Sequence, residues 1–194
     1  MSTLTFQAAA GGSLNLVGPN ISGNVNLTLP SADGTSAGQV LQTNGAGTLA
    51  FSNQLQGSSS ALAAILTNAA EVVTVSATAA TGTINYYPTS QSILYYTSNA
   101  TANWTVNFAG SSGTTMNSIM AVGQAITVAF LVTQGSTAYY NNAITIDGTS
   151  VTPKYQNGGT WVSGNASGID CYVYTIIKTA SATYTVLASQ TQYK

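Results

Sequence analysis

The C-terminal two-thirds of the chain carries short apolar runs with polar residues between them. From about residue 71, β-branched and aromatic residues cluster between turn-forming Gly, Asn and Ser, which is typical of β-strands. About eight runs follow one another without a long helical pattern, and they predict an all-β, jelly-roll-like antiparallel β-sandwich over residues 71–194. The predicted strands are 72–75, 84–87, 93–97, 104–108, 125–132, 143–146, 170–178 and 184–187.

One of these runs differs from the others because it is apolar on both of its faces. The segment QAITVAFLVT, residues 124–133, has hardly any alternation. A strand of that kind is expected in the interior of a sheet, with neighbours on both sides. The polar, glycine-containing segments 110–120 and 153–168 are predicted as loops at the ends of the sandwich.

The first 56 residues predict an extended, fibrous β segment. Leu14 and Leu16 alternate with polar residues, as do the apolar positions of 25–29 before Pro30, and Asn44-Gly45 supplies a turn between two further short strands. Such short strands cannot form a core that offsets their own ordering entropy, about 1–2 kcal/mol per residue. They need a second domain or other copies of the chain, and we interpret residues 1–56 as an anchoring segment.

Residues 57–70, GSSSALAAILTNAA, predict a short helix or helical linker. Serines near residue 58 can cap a helix, and alanine is the best helix former. Apolar residues recur with helical spacing at Leu62, Ile65, Leu66 and Ala69. This single stripe suits three parallel copies meeting at an axis, and it equally suits one helix docked on a sheet.

The chain has very few charged side chains. It contains four acidic residues, three lysines and no histidine, for a net charge of −1, and charged residues make up 4% of the sequence. Such a chain has no long-range field to attract nucleic acid or an anionic membrane, and it has little colloidal repulsion between its copies. Since 44% of its residues are hydrophobic, we expect a folded chain that assembles, not a disordered one.

The single cysteine and the N-terminus bear on the compartment and the chemistry. Cys171 is alone, so no intramolecular disulfide is expected, and its apolar surroundings predict a buried structural thiol. The N-terminal residues lack the basic and apolar regions of a signal peptide. No apolar run is long enough for a transmembrane helix, so we expect no membrane insertion.

The inventory of titratable residues argues against catalysis. Asp33-Gly34 and Asp147-Gly148 read as turns, Glu71 as a solvated junction residue, and Asp170 as the start of a strand. General acid–base chemistry needs positioned titratable groups, and zinc needs more cysteine or histidine than this chain has. Calcium bound by Asp147 with loop carbonyls is conceivable, but no calcium-loop spacing is present. We predict that the protein is not an enzyme and has no metal site and no cofactor.

The aromatic residues offer one candidate binding site. Tyr155 and Trp161, in the predicted loop 153–168, could stack against the apolar face of a sugar, while neighbouring Asn and Gln bond its hydroxyls. The alternative is that the aromatic rings pack in the core, against a neighbouring strand or against another subunit. The pattern favours packing, and the two residues remain the candidate ligand-binding positions.

Two stretches of the chain resemble proteins of bacteriophage particles. NLTLPSADGTSAGQVLQTNGAGTLAFS, residues 26–52, resembles a segment that recurs in tail-fibre-like and other appendage proteins of bacteriophages. Three later blocks resemble the C-terminal domain common among virion structural proteins of marine cyanobacterial phages. These blocks are INYYPTSQSILYYTSNATANWTVNF, QAITVAFLVTQGSTAYYNNAITIDGTSVTPKYQNGG and IDCYVYTIIKTASATYTVLASQTQYK. The resemblance implies a virion component and brings no catalytic residues.

Together, these observations predict a homotrimeric virion structural protein. We expect a short fibre or decoration protein, anchored by its N-terminal part to other virion proteins of the capsid or tail, with the C-terminal sandwich as a knob. The alternative is a tail-fibre knob that recognises a receptor or glycan on the host surface.

Overall fold

A computed structural model describes residues 3–7, 13–17, 28–32, 34, 39–44, 46–52 and 70–194. The chain divides into two compact units, Met1–Thr67 and Asn68–Lys194. The helix predicted over residues 57–70 lies outside the described residues, apart from Ala70.

The described residues of the N-terminal unit form two short antiparallel strand pairs. Strand β1 (Thr3–Gln7) pairs with β2 (Ser13–Val17), and β3 (Val40–Thr43) pairs with β4 (Leu49–Ser52). The second pair is the hairpin predicted around Asn44, whose side-chain oxygen accepts hydrogen bonds from the backbone amides of residues 46 and 48. Most of the strand predicted at 25–29 lies outside the described residues.

The C-terminal unit is a sandwich of two β-sheets, which confirms the predicted fold class, and all eight predicted strands are present. Its elements are β5 (Val73–Ala79), β6 (Gly82–Tyr86), β7 (Ile93–Ser98), β8 (Trp104–Phe108), α1 (Met116–Ile119), β9 (Ala125–Thr133), β10 (Asn141–Ile146), β11 (Thr149–Ser150), β12 (Lys154–Tyr155), β13 (Ile169–Ala180) and β14 (Thr183–Tyr193), with a 3-10 turn at Gln156–Gly158. The larger sheet has the strand order β12-β14-β13-β9-β7-β5, and the smaller has the order β11-β10-β8-β6.

The strand pairing is mixed, where a purely antiparallel sandwich was expected. From β5 to β10, consecutive strands alternate between the two sheets, so that β5, β7 and β9 pair in parallel in one sheet and β6, β8 and β10 pair in parallel in the other. The link from β5 to β6 shows the reason: fully buried Ala80 and its neighbour Thr81 carry the chain across to the opposite sheet instead of forming a hairpin. Antiparallel pairing is found at β9–β13–β14 and β10–β11.

Aromatic rings fill the space between the sheets. Trp104 of β8 contacts Phe130 of β9 and Tyr172 of β13, with ring centroids 6.0 and 5.6 Å apart. Phe108 contacts Tyr174 across the same space at 5.1 Å. These edge-to-face contacts add to the burial of large rings, which dominates the energetics of such a core. The other large, fully buried side chains are Tyr86, Met116, Ile146, Ile176, Val106, Val132 and Val186.

Strand β9 lies between β13 and β7, as its doubly apolar pattern predicted. Val128, Phe130 and Val132 point into the core and are buried. The alternate residues, Ala129 and Leu131, point away from the core and remain partly exposed, because successive side chains of a strand lie on opposite faces. The second apolar face of β9 is therefore on the outside of the sandwich.

Candidate functional site

The structure brings Tyr155 and Trp161 together at the edge of the larger sheet. Tyr155 ends β12 and Trp161 follows in the next loop, with ring centroids 4.9 Å apart and ring planes at 76°. Trp161 also contacts Tyr172 and Tyr174, at 4.9 and 6.0 Å. Both candidate residues are half-buried and extend the aromatic core outward. Their rings therefore pack against the core, which is the alternative to sugar binding that the sequence offered.

An open groove runs beside the outer edge of Trp161. Its volume is about 510 Å³, and Val162 at its side is 77% exposed. The amide nitrogen of Gln190, which also lines the groove, donates to the Ser163 carbonyl at 3.2 Å and to the Tyr172 hydroxyl at 3.1 Å. One aromatic edge, hydroxyls and side-chain amides therefore share this groove. The lining residues are Thr160, Trp161, Val162, Ser163, Gln190, Thr191 and Gln192.

A second groove of about 580 Å³ lies near the end of β14. Its lining includes hydroxyl and amide side chains beside a larger apolar surface, and the Tyr193 ring is 56% exposed. The Thr133 hydroxyl in its wall is buried and has no hydrogen-bond partner among the described residues. The remaining lining residues are Asn99, Gln134, Gly135, Ser136, Ser167, Gly168, Ile169 and Lys194.

Sequence reasoning did not find this second groove. Its residues come from four separate segments, which follow β7 and β9, precede β13 and end β14. No single segment carries a motif, and only the strand order places the four segments side by side. The weak signal available was the polar composition of residues 134–136 and 167–168.

Asp147 and Lys178 hold the two ends of the short helix α1. The Asp147 carboxylate accepts from the backbone amides of Met116 and Asn117, at 2.8 and 3.2 Å. The buried Lys178 ammonium donates to the carbonyls of Asn117 and Met120, at 2.6 and 2.7 Å. An anion at the start and a cation at the end complement the exposed amides and carbonyls of a helix. Asp147 also adopts φ 51° in the turn predicted with Gly148.

Asp170 is fully buried inside the sandwich. Its carboxylate accepts from the Gln134 side-chain amide at 2.8 Å and from the Asn165 backbone amide at 3.1 Å. Burial raises the pKa of this carboxyl, and the two hydrogen bonds partly counteract that rise. Gly164 touches the same cluster so closely that a β-carbon there would collide with the Tyr139 carbonyl. Asp170 thus ties the loops after β9 and before β13 together.

Cys171 is not the buried thiol that the sequence predicted. Its neighbours Asp170 and Tyr172 are fully buried, so the alternation of β13 turns Cys171 to the outer face of the sheet. The thiol is partly exposed there, and partial burial raises its pKa above the ordinary value. A raised pKa leaves less of the reactive thiolate.

Residues 70–194 and the described N-terminal segments contain no group of three or more His, Cys, Asp or Glu side chains placed to hold a metal ion. Asp33 lies outside the described residues, and Glu71 is exposed and accepts a hydrogen bond from Ser92 at 3.3 Å. Within the same described ranges, no helix has the length and apolar character needed to cross a membrane.

The outer face of the smaller sheet, formed by outward residues of β6, β8 and β10, is polar and internally bonded. Asn107 of β8 donates to the side-chain oxygen of Asn85 at 2.9 Å, and its own oxygen accepts from the Thr145 hydroxyl at 2.7 Å and from the Gly148 amide at 3.0 Å. Thr83 and Thr105 pair beside them. We call this the Asn/Thr face.

The outer face of the larger sheet is apolar over four strands, β5, β7, β9 and β13, and continues onto polar positions of β14. The pairing of β5, β7, β9, β13 and β14 aligns its outward side chains in rows, and no element within residues 70–194 covers them. The first row is Val73, Ile93, Ala129, Val173 and Ser189, and the second is Val75, Tyr95, Leu131, Cys171 and Thr191. We call this the Val/Ile face, and eight of its ten positions in these two rows are apolar.

No protein-family model matches this chain, and neither a curated protein nor a solved structure matches it.

Proposed function

We propose that the protein is a bacteriophage virion structural protein, a trimeric short fibre or decoration protein. In this proposal the N-terminal unit anchors the chain to the capsid or tail, and the C-terminal sandwich projects as a knob. The protein is not an enzyme and uses no cofactor. The resemblance of residues 26–52 and of the later blocks to phage proteins supports this origin.

The proposal is supported mainly by the hydrogen bonds that several of the charged side chains form within the fold. Of seven ionised side chains in the sequence, Asp147, Asp170 and Lys178 are bonded to backbone groups that hold loops and α1 in place. The described surface has Glu71, Lys154 and Lys194 as exposed charged side chains and consists otherwise mainly of hydroxyls, amides and apolar side chains. A chain with so few surface charges, and with three of its seven ionisable side chains bonded inside the fold, suits a structural role in a particle, where copies and neighbouring proteins provide the remaining contacts.

The proposal is tested on purified phage particles. Mass spectrometry of gradient-purified virions from the phage that encodes this chain is expected to detect it at a fixed number of copies per particle. A reconstruction of the same particles is expected to show three-fold density that fits the sandwich on the capsid or tail. Absence of the chain from infectious particles would overturn the proposal.

The second candidate function is a receptor- or glycan-binding knob. Two open grooves, beside Trp161 and beside Tyr193, are lined by hydroxyls and side-chain amides and each include one aromatic ring. This composition matches carbohydrate, since polar groups bond the sugar hydroxyls and a ring edge or face meets its apolar side.

The exposed Tyr193 allows a clean test of this second function. The full-length protein is screened on a glycan array, and Tyr193→Ala is compared with Asn107→Ala, which alters the distant Asn/Thr face. Binding that Tyr193→Ala or Ser163→Ala weakens about tenfold and Asn107→Ala leaves unchanged would support glycan recognition. An array without any bound glycan would oppose it.

A further inference from the structure

We propose that the Val/Ile face is the surface through which copies of this chain associate. The proposal rests on the assembly of copies in the proposed function and assigns that contact to one face of the sandwich.

Apolar side chains are contiguous on this face. The two rows are apolar from β5 to β13 and end on Ser189 and Thr191 of β14, and Val73 and Val75 at one margin are 45% and 64% exposed. Leu187 of β14, at the other margin, is 45% exposed. Single exposed apolar residues are ordinary on protein surfaces, but a contiguous apolar sheet face marks an interaction site.

The Val/Ile face carries little charge. No Asp, Glu or Lys lies in its two rows, because Asp170 and Lys178 of β13 point into the sandwich. Lys154 of β12 pairs with Leu187 and lies at the margin of the same outer face. A partner that matched the face by charge would find this one lysine to pair with. A second copy presents the same nearly uncharged surface of Val, Ile, Leu and Thr, and a chain with net charge −1 does not repel its copies.

The size of the face also fits a contact between copies. Strand spacing of about 4.8 Å and a rise of about 3.3 Å per residue give the face a flat footprint of about 500 Å². Its accessible area is larger than its footprint because side chains roughen it. That area is of the same order as the roughly 800 Å² that each partner contributes to a standard stable interface.

The experiment introduces charge on either outer face of the full-length protein. Val75→Lys/Leu187→Lys places two lysines on the Val/Ile face at side chains that are already exposed. Thr83→Lys/Ala143→Lys is the matched control, because it places two lysines on exposed residues of the Asn/Thr face. Circular dichroism checks that each variant is folded, and sedimentation or light scattering measures its mass.

Cys171 provides a second readout without any added label. It lies in the middle of the Val/Ile face, so contact between copies must cover its thiol. We expect the wild-type protein and the control variant Thr83→Lys/Ala143→Lys to be multimeric. In both, Cys171 is expected to react with a maleimide at least about tenfold more slowly than it does in Val75→Lys/Leu187→Lys. That variant is expected to be monomeric. All proteins are compared at one pH, since thiol reactivity depends on pH.

Each other outcome overturns the proposal in a distinguishable way. A multimer whose Cys171 reacts freely, or whose mass is unchanged by Val75→Lys/Leu187→Lys, places the contact elsewhere and leaves the virion role standing. A monomer with protected Cys171 means that residues 1–69 of the same chain cover the face. A monomer with reactive Cys171 overturns both this contact and the proposed trimer. Mass spectrometry of purified virions then decides whether the chain is a virion protein.

Discussion

The two outer faces of the sandwich use the same strand geometry with opposite side-chain chemistry. On the smaller sheet, Asn107 bonds Asn85 and Thr145, so the polar groups of three strands satisfy one another and face solvent. On the larger sheet, the equivalent outward positions hold Val173, Leu131 and other apolar side chains. The inner faces of the two sheets are alike, since both bury aromatic and aliphatic residues.

This difference separates what folding needs from what association needs. Burial of the inner faces supplies the hydrophobic free energy of the sandwich. The outer Val, Ile and Leu side chains gain nothing comparable in the isolated chain, where they stay partly exposed. Their burial by a second copy is the contribution that we propose.

The largest expected effect comes from the core that both faces share. Trp104→Ala removes a fully buried ring of β8, and we expect a loss of about 3–5 kcal/mol in the free energy of unfolding. The neighbouring Thr105→Ala, on the Asn/Thr face, is expected to cost about 0.5 kcal/mol or less. Urea unfolding of both variants measures the contrast. Similar losses for the two would show that Trp104 does not pack as described.

The next effect concerns the inner side of β13. Asp170→Ala leaves the amides of Gln134 and Asn165 without this acceptor, and we expect a cost of about 1–3 kcal/mol. Urea unfolding at a fixed pH measures it. Cys171→Ala, one residue along on the outer face, is the control and is expected to change the stability of the unassembled chain much less.

Asp170 also predicts a pH dependence of stability. Burial raises its pKa, so the folded chain binds this proton more tightly than the unfolded chain. Its contribution to stability is therefore greatest below the ordinary pKa of an aspartate and declines as the pH rises through the raised pKa of the folded state. Subtracting the unfolding profile of Asp170→Asn from that of the wild-type isolates this term. A difference that increases with pH would contradict it.

A smaller effect distinguishes the two outer faces by concentration. If copies meet through the Val/Ile face as a trimer, a tenfold rise in protein concentration stabilises each chain by about 0.9 kcal/mol, which is two-thirds of the tenfold free-energy step. Thermal unfolding of the wild-type and of Thr83→Lys/Ala143→Lys is expected to shift upward together. The midpoint of Val75→Lys/Leu187→Lys is expected to stay constant, and a parallel shift in all three would argue against this face.

The smallest effect is expected on the Asn/Thr face. Asn107→Ala removes three hydrogen bonds at an exposed site, where water replaces the lost partners, so we expect a cost of about 0.5–1 kcal/mol. The mass of the assembly is expected to stay the same in sedimentation. A change in mass would show that this face also takes part in association.

The sequence predicted the strands well because each run carries its own alternation. The positions of β8 and β13, with Trp104, Val106 and Tyr172 on the inner face, follow from that local pattern. The pairing could not be predicted in the same way. Whether Ala80 turns the chain into a hairpin or carries it across to the other sheet depends on how both sheets bury their apolar sides, which a local pattern does not contain.

The candidate site was predicted only in part. Tyr155 and Trp161 are six positions apart, and their proximity follows from the short loop between them. Their contact with Tyr172 required knowledge that β12 lies beside β14. The groove beside Tyr193 is formed by four segments that are far apart in the sequence. The sequence shows that these segments are polar, but it does not show that they come together.

The sequence by itself determined that this chain forms short strands with few charges, since strand propensity and composition are properties of neighbouring residues. The tertiary structure decided which face of each strand has a partner. It turned Cys171 outward, buried Asp170, and placed apolar side chains from four strands in continuous rows. Side chains from distant segments become one surface only when long-range pairing fixes the order and register of their strands.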